Sequence, residues 1–253
     1  MMIAVDGGEV WADDSGGNLP PLVLLHPGVG DSRIWEPLLP ALTSRYRVIR
    51  YDARGYGRSP APTTKFTLFG DLIVVLDHFA LSRTPIVGCS QGGGSALGLA
   101  LAQPERVSAL VLLCPGIPGY AWPADPAVGA AFDRAVPEGT EAVAEVMLGL
   151  WGAAGRTPEV VEQFRTAARA ALSNEDFEEA DPPVFDRLGE IAVPTSLLVG
   201  DADRPALIDS NLQAAARIPG CELIEVPGVD HLPPLRIPDR VLRQIAETLA
   251  RVN

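Results

Sequence analysis

The chain has 253 residues, of which 47% are hydrophobic and 21% charged, and a formal net charge of −12. That length fits one domain, with or without an insertion, and is enough to bury a full core. The acidic balance argues against a nucleic-acid partner, whose phosphates demand a basic face, and against an anionic membrane surface.

The longest apolar runs, such as LIVVL and ALVLLC, fall far short of the roughly 20 residues that a membrane span needs. The opening MMIAVDGGEVWADD has no basic n-region and carries acids where a secretion signal is apolar. Cys89, Cys114 and Cys221 are odd in number, widely spaced and in no metal-ligand pattern. They read as buried thiols of a cytoplasmic protein.

Along the chain, IAVDGGEVWADD reads as a hairpin with DGG as its turn. Strand candidates follow at PLVLLH (from Pro21), YRVIRYD (from Tyr46), TPIVGC (from Thr84), VSALVLLC (from Val107), PTSLLVG (from Pro194) and CELIEVPG (from Cys221). They are almost continuously apolar, as strands covered on both faces are. Helical patterns alternate with them: IWEPLLPALTSR, TLFGDLIVVLDHFAL, GGGSALGLALAQP, ALIDSNLQAAARI and DRVLRQIAETLARV. Repeated strand–helix units predict an α/β fold around a parallel sheet with right-handed crossovers.

From about Gly116 to Asp186 the rhythm breaks. This stretch has no strand pattern but does have helical patches, EGTEAVAEVMLGLWG and TPEVVEQFRTAARAAL. It reads as a helical cap over residues 116–187, inserted between core segments 1–115 and 188–253. Surface helices packed on the core are the plainer alternative. Trp122 and Trp151 are the cap's candidates for facing a substrate.

Gly88-Cys89-Ser90-Gln91-Gly92 fits G-x-S-x-G, a pattern expected by chance ~0.1 times in a chain of this composition. It falls where strand TPIVGC gives way to helix GGGSALGLALA, the setting a nucleophile elbow requires. Glycines flank the serine because a sharp strained turn leaves no room for neighbouring Cβ atoms. The other reading is a glycine turn without chemistry.

A serine hydroxyl needs a base to take its proton, and the chain has three histidines. His78 lies within a helical pattern among apolar residues, and His26 ends a strand. His231, in GVDHLPPL after the last strand, can stand over the sheet's carboxyl edge and is the expected base. An acid must then orient the imidazole. Asp201 and Asp203 both follow strand PTSLLVG. Asp203 lies further into the loop and is preferred, while Asp201 suits a turn cap. Asp230 is adjacent to His231, and neighbouring side chains point apart. The oxyanion donors are expected to be the Gln91 amide and one from HPGVG. Pro27 has no N–H, so Gly28 is favoured, with Val29 open.

With these pieces in place the chain resembles the α/β-hydrolase superfamily over essentially its whole length, through LLHPGVGDSRIWEPLLPAL, VIRYDARGYGRS, IVGCSQGGGSALGLALAQPERVSALVL, PTSLLVGDADRP and VPGVDHLPPLRIPD. The resemblance implies an eight-stranded, mostly parallel sheet, a helical cap between the sixth and seventh strands, Gly28 as first oxyanion residue and Asp203 as acid. It departs from the family at Pro27, where a glycine is usual, at Gln91, where methionine is common, and at Arg236, which replaces an acid. Asp52 and Arg54 are read as structural. Within the superfamily the chain looks most like the small-capped esterase and enol-lactonase group.

These readings predict a serine hydrolase acting on an ester or lactone of a small organic molecule, with Ser90, His231 and Asp203 catalytic and with no metal or organic cofactor. Carbon–carbon bond cleavage, cyclisation, or ligand binding without catalysis are the alternatives. A carboxylated substrate would need a cation in the pocket, and Arg33 is the candidate. The partner is a small molecule, and a homo-oligomer is possible.

Overall fold

In the computed structural model, which describes residues 1–252, eight strands form one sheet in the order β1-β2-β4-β3-β5-β6-β7-β8. They are β1 (Met2–Val5), β2 (Gly8–Asp14), β3 (Pro21–Leu25), β4 (Arg47–Asp52), β5 (Thr84–Cys89), β6 (Val107–Leu113), β7 (Thr195–Gly200) and β8 (Glu222–Val226). The β1–β2 and β2–β4 pairs are antiparallel, and all others run parallel. The central strands are buried on both faces because their side chains alternate between two cores. Ile86 packs on one side of the sheet and Val87 on the other.

Nine helices complete the chain: α1 (Leu39–Thr43), α2 (Leu68–His78), α3 (Gln91–Ala102), α4 (Pro126–Ala135), α5 (Thr140–Trp151), α6 (Pro158–Asn174), α7 (Pro205–Arg217), α8 (Pro233–Arg236) and α9 (Pro238–Leu249), counted among the described residues. One face of the sheet carries α2, α3 and α7 through residues such as Leu72, Leu97 and Ala214. The other carries α1 and α9 through Leu42, Val241 and Ile245.

The first helical pattern, IWEPLLPALTSR, does not form one helix. A 3₁₀ turn at Ser32–Trp35 stops before Pro37, and α1 starts around Pro40. Proline lacks the donor that a continuous helix needs and is tolerated only in a first turn.

Between β6 and β7 lie α4, α5 and α6. Val143, Met147, Val160 and Phe164 of α5 and α6 join Val29, Ile34 and Trp35 in one apolar cluster. The insertion therefore rests on the loop that follows β3. By Val184 the chain has returned to the main core, where Val184 and Leu188 pack with residues of α3 and α7. No helix among the described residues is long and apolar enough to cross a membrane.

Candidate active site

Ser90 joins β5 to α3 at φ 48°, ψ −116°, a left-handed conformation that costs a side-chain-bearing residue on the order of 1–3 kcal/mol. Backbone hydrogen bonds hold it there. Its N–H donates to the Leu113 carbonyl at 2.9 Å, and its own carbonyl accepts from Gly94 at 3.1 Å and Gly116 at 2.8 Å. The glycines are dictated by contact. A Cβ at Gly88 would stand 2.5 Å from the Gly92 carbonyl oxygen, and one at Gly92 2.5 Å from that of Leu25. Since both obstacles are backbone, neither can move aside.

His231 follows β8 and Asp203 follows β7, so parallel pairing brings both loops to the edge where β5 ends. His231 Nε2 lies 2.7 Å from Ser90 Oγ, and Nδ1 lies 2.6 Å from Asp203 Oδ2. The carboxylate only accepts, so Nδ1–H donates to it and Nε2 is left to accept from the serine hydroxyl. His231 is 2% exposed and Asp203 6%, which leaves that acid no aqueous partner to prefer over the ring. Asp203 Oδ1 accepts from the Arg204 amide at 2.7 Å. Behind it, Cys114 Sγ lies within 4.8 Å of the ligating atoms of both Asp203 and His231. Burial, with Asp203 nearby, pushes that thiol well above its ordinary pKa.

The neighbouring acids separate cleanly. Asp201 Oδ1 accepts from the Gly228 amide at 2.6 Å and so ties the β7 loop to the loop carrying His231. Asp230 is fully buried but turned away from the serine: it takes Arg236 Nη2 at 2.7 Å, the Ala154 amide at 3.0 Å and the Leu232 amide at 3.2 Å. The His231 amide itself donates to the Trp151 carbonyl at 3.3 Å. Arg236 therefore acts by fixing the segment that carries the imidazole. Sequence reasoning missed this pairing, since the turn of α8, Pro233–Arg236, is what brings Arg236 back onto Asp230.

Gly28, Val29 and Gln91 line the same cavity as Ser90 and His231. None of their three amides donates to a protein acceptor among the described residues. The Pro27–Gly30 turn that presents the first two is buttressed by His26. Its Nδ1–H donates to the Pro27 carbonyl at 2.8 Å, while Nε2 accepts the Ala53 amide at 2.9 Å. From the insertion, buried Gln163 accepts the Asp31 amide at 2.9 Å.

Trp122 and Trp151 also line the cavity, which measures about 890 Å³ and is otherwise mainly apolar. The Trp151 ring lies 6.3 Å from that of His231. Arg33 does not line it, contrary to expectation. Its guanidinium is turned to partners outside the cavity, forking onto Asp31 at 2.7–3.0 Å and reaching Thr166 Oγ1 at 2.9 Å. Burial alone would raise the Asp31 pKa, but the Arg33 hydrogen bonds outweigh it and hold that carboxyl below its ordinary value. Asp52 and Arg54 are structural: Asp52 accepts the Ser32 amide at 2.8 Å and Arg54 pairs with Asp71 at 2.7 Å.

The sequence profile described as the Alpha/beta hydrolase family matches residues 22–244. RutD of Caulobacter segnis, named for carbamate hydrolysis, is 36% identical over 121 residues, which are 46% of this chain and 43% of that protein. The match thus spans less than half the length of that relative. A 2-hydroxy-6-oxo-6-phenylhexa-2,4-dienoate hydrolase of Comamonas testosteroni is 29% identical over 76% of this chain and 74% of its own. Among solved structures, the enol-lactonase from Burkholderia xenovorans LB400 superimposes with a TM-score of 0.82 and 26% identity, covering 99% of this chain and 100% of the other.

Proposed function

The chain belongs to the alpha/beta hydrolase family, and from that premise we propose that it is a serine hydrolase of small carboxylic esters or lactones, acting through an acyl-enzyme. The observation that carries this reading is the continuous line of contacts from Ser90 Oγ through His231 to Asp203, at 2.7 and 2.6 Å. His231 takes the serine proton as Oγ attacks the carbonyl, and Asp203 steadies the imidazolium. The tetrahedral oxygen is received by the Gln91 amide and by that of Gly28, the loop's second donor candidate being Val29. His231 then gives its proton to the departing alcohol and activates the water that frees the acid. The helices α4–α6 act as a lid over the cavity.

The test is Ser90→Ala against 4-nitrophenyl butyrate. Turnover is expected to fall by on the order of 10⁴-fold or more, with the thermal midpoint unchanged. Undiminished turnover would overturn the assignment. The likeness to the Comamonas dienoate hydrolase across three quarters of the chain favours one second reading, cleavage of a carbon–carbon bond next to a ketone by the same residues. A panel of esters, lactones and diketones separates the two by which class is consumed.

A further inference from the structure

Among the described residues, one guanidinium and no ammonium lines the catalytic cavity: that of Arg204. The walls around it are apolar, made by Val29, Trp122, Val128, Met147, Trp151 and Leu207. The Arg204 side chain is partly exposed to the cavity, and its partner within the protein is meagre. Arg204 Nη2 donates to Asp125 Oδ2 at 3.0 Å, and its other guanidinium nitrogens make no hydrogen bond among the described residues. Asp125 is itself shared, since its Oδ1 caps α4 by accepting the Val128 amide at 3.2 Å.

Arg33, Arg47, Arg54 and Arg236 each present a two-nitrogen fork to their acids, the arrangement for which guanidinium geometry is suited. Arg50 and Arg106 meet their acids with one nitrogen but commit a second to a backbone carbonyl, of Ser32 and Leu81. In Arg204 that fork is left with donors to spare. Its Cζ lies 5.7 Å from the Trp151 ring, the same ring that stands 6.3 Å from His231. Trp151 therefore spans the wall between the cation and the base. The Arg204 backbone belongs to the acid's loop, with its amide on Asp203.

We propose that Arg204 is the specificity-determining residue of this site. It receives a carboxylate carried by the substrate at the far end of a short acyl chain from the bond that is cut. Asp125 holds the place of that carboxylate until substrate displaces it. The substrate class is then an ester or lactone that bears a free carboxylate. This rests on the reading of Ser90 as the acylated residue.

The experiment compares kcat/KM for 4-nitrophenyl hydrogen adipate with that for 4-nitrophenyl methyl adipate, the same acyl chain with its distal carboxylate free or esterified. The wild-type chain is expected to favour the free acid by about tenfold, the size of a charge-assisted hydrogen bond. Arg204→Gln brings that ratio to about one. Asp125→Asn, which keeps an oxygen for capping α4, raises it. A wild-type ratio of one or less, or a ratio unmoved by Arg204→Gln, overturns the proposal. Equal losses on both esters do so too, because they would make Arg204 a support for the Asp203 loop or a latch on the lid. If neither ester is cleaved, the acyl-enzyme reading fails separately. Calorimetry on the Ser90→Ala chain then still decides the point. Monomethyl adipate should bind about tenfold tighter than dimethyl adipate, a difference erased by adding Arg204→Gln, and equal affinities refute the carboxylate receptor.

Discussion

Ser90 and Cys114 are two of three non-glycine residues with positive φ among the described residues, at 48° and 45°, and both border the contact line that ends on Asp203. Strain at two adjoining strand ends is stabilised by the sheet beneath them, where β5 and β6 pair in register from Ile86 to Cys89. The cysteines offer a direct check on this packing. Cys89 and Cys114 have no exposed surface, and burial raises both thiols far above the ordinary range. Cys221 is half-buried and pushed up to about 11, chiefly by burial, with Arg251 opposing and Glu222 adding to the rise. At pH 8 all three are therefore protonated, and only Cys221 is reachable. Ellman's reagent should find at most one slowly reacting thiol in the native chain and three in urea. Two fast thiols would contradict the burial. At this scale much was legible beforehand. Ser90 stands out because the strand–turn–helix context restricts a five-residue pattern, and His231 because three histidines leave little choice. Arg33 was misassigned because its partners are partly remote. Thr166 lies 133 positions away, and no local pattern announces such a contact.

Among the elements, α6 links the insertion to the loop that follows β3. Its Gln163 side chain is 3% exposed and fills the space beside Gly30, where any Cβ would collide with it. Gln163→Ala leaves the Asp31 amide without its acceptor inside the protein. An orphaned buried donor costs about 1–3 kcal/mol, which urea denaturation measures as a lower midpoint at constant slope. Turnover should fall with it, because the Gly28 amide rides on the same turn; unchanged stability would mean that water replaces the glutamine. The core strands and most core helices were readable from apolar runs and 3.6-residue periodicity. The helical pattern after β3 was not, since Pro37 and Pro40 divide it. Neither was α4, a ten-residue segment that opens on a proline, carries a glycine and buries only Ala135.

At the scale of the whole molecule, sheet and insertion meet at Asp230. Its carboxylate has no exposed surface, while Arg236, 11% exposed, pairs with it and also donates to the Gly155 carbonyl at 2.6 Å. Removing the cation strands a buried charge. Arg236→Met is therefore expected to cost about 3–5 kcal/mol, read as a drop in the thermal midpoint, and to lower kcat by loosening the segment that carries His231. A variant as stable and active as the parent would show the pair to be incidental. The general architecture was accessible from alternation of strands and helices, since both faces of a parallel sheet must be covered. The stitching between insertion and core was not, because on the insertion's side it uses only the backbone groups of Trp151, Ala154 and Gly155, which every sequence shares.

One of those stitches reaches the chemistry itself. The amide of His231 hangs on the carbonyl of Trp151, the last residue of α5. Any roof grafted in place of these helices, however well its apolar underside fits, inherits a duty unrelated to substrate shape: it must offer a peptide oxygen at that one point. Diversifying what the enzyme accepts is thus coupled to keeping His231 in line, and a replacement that ends a single helical residue early would take away that anchor without ever touching a ligand.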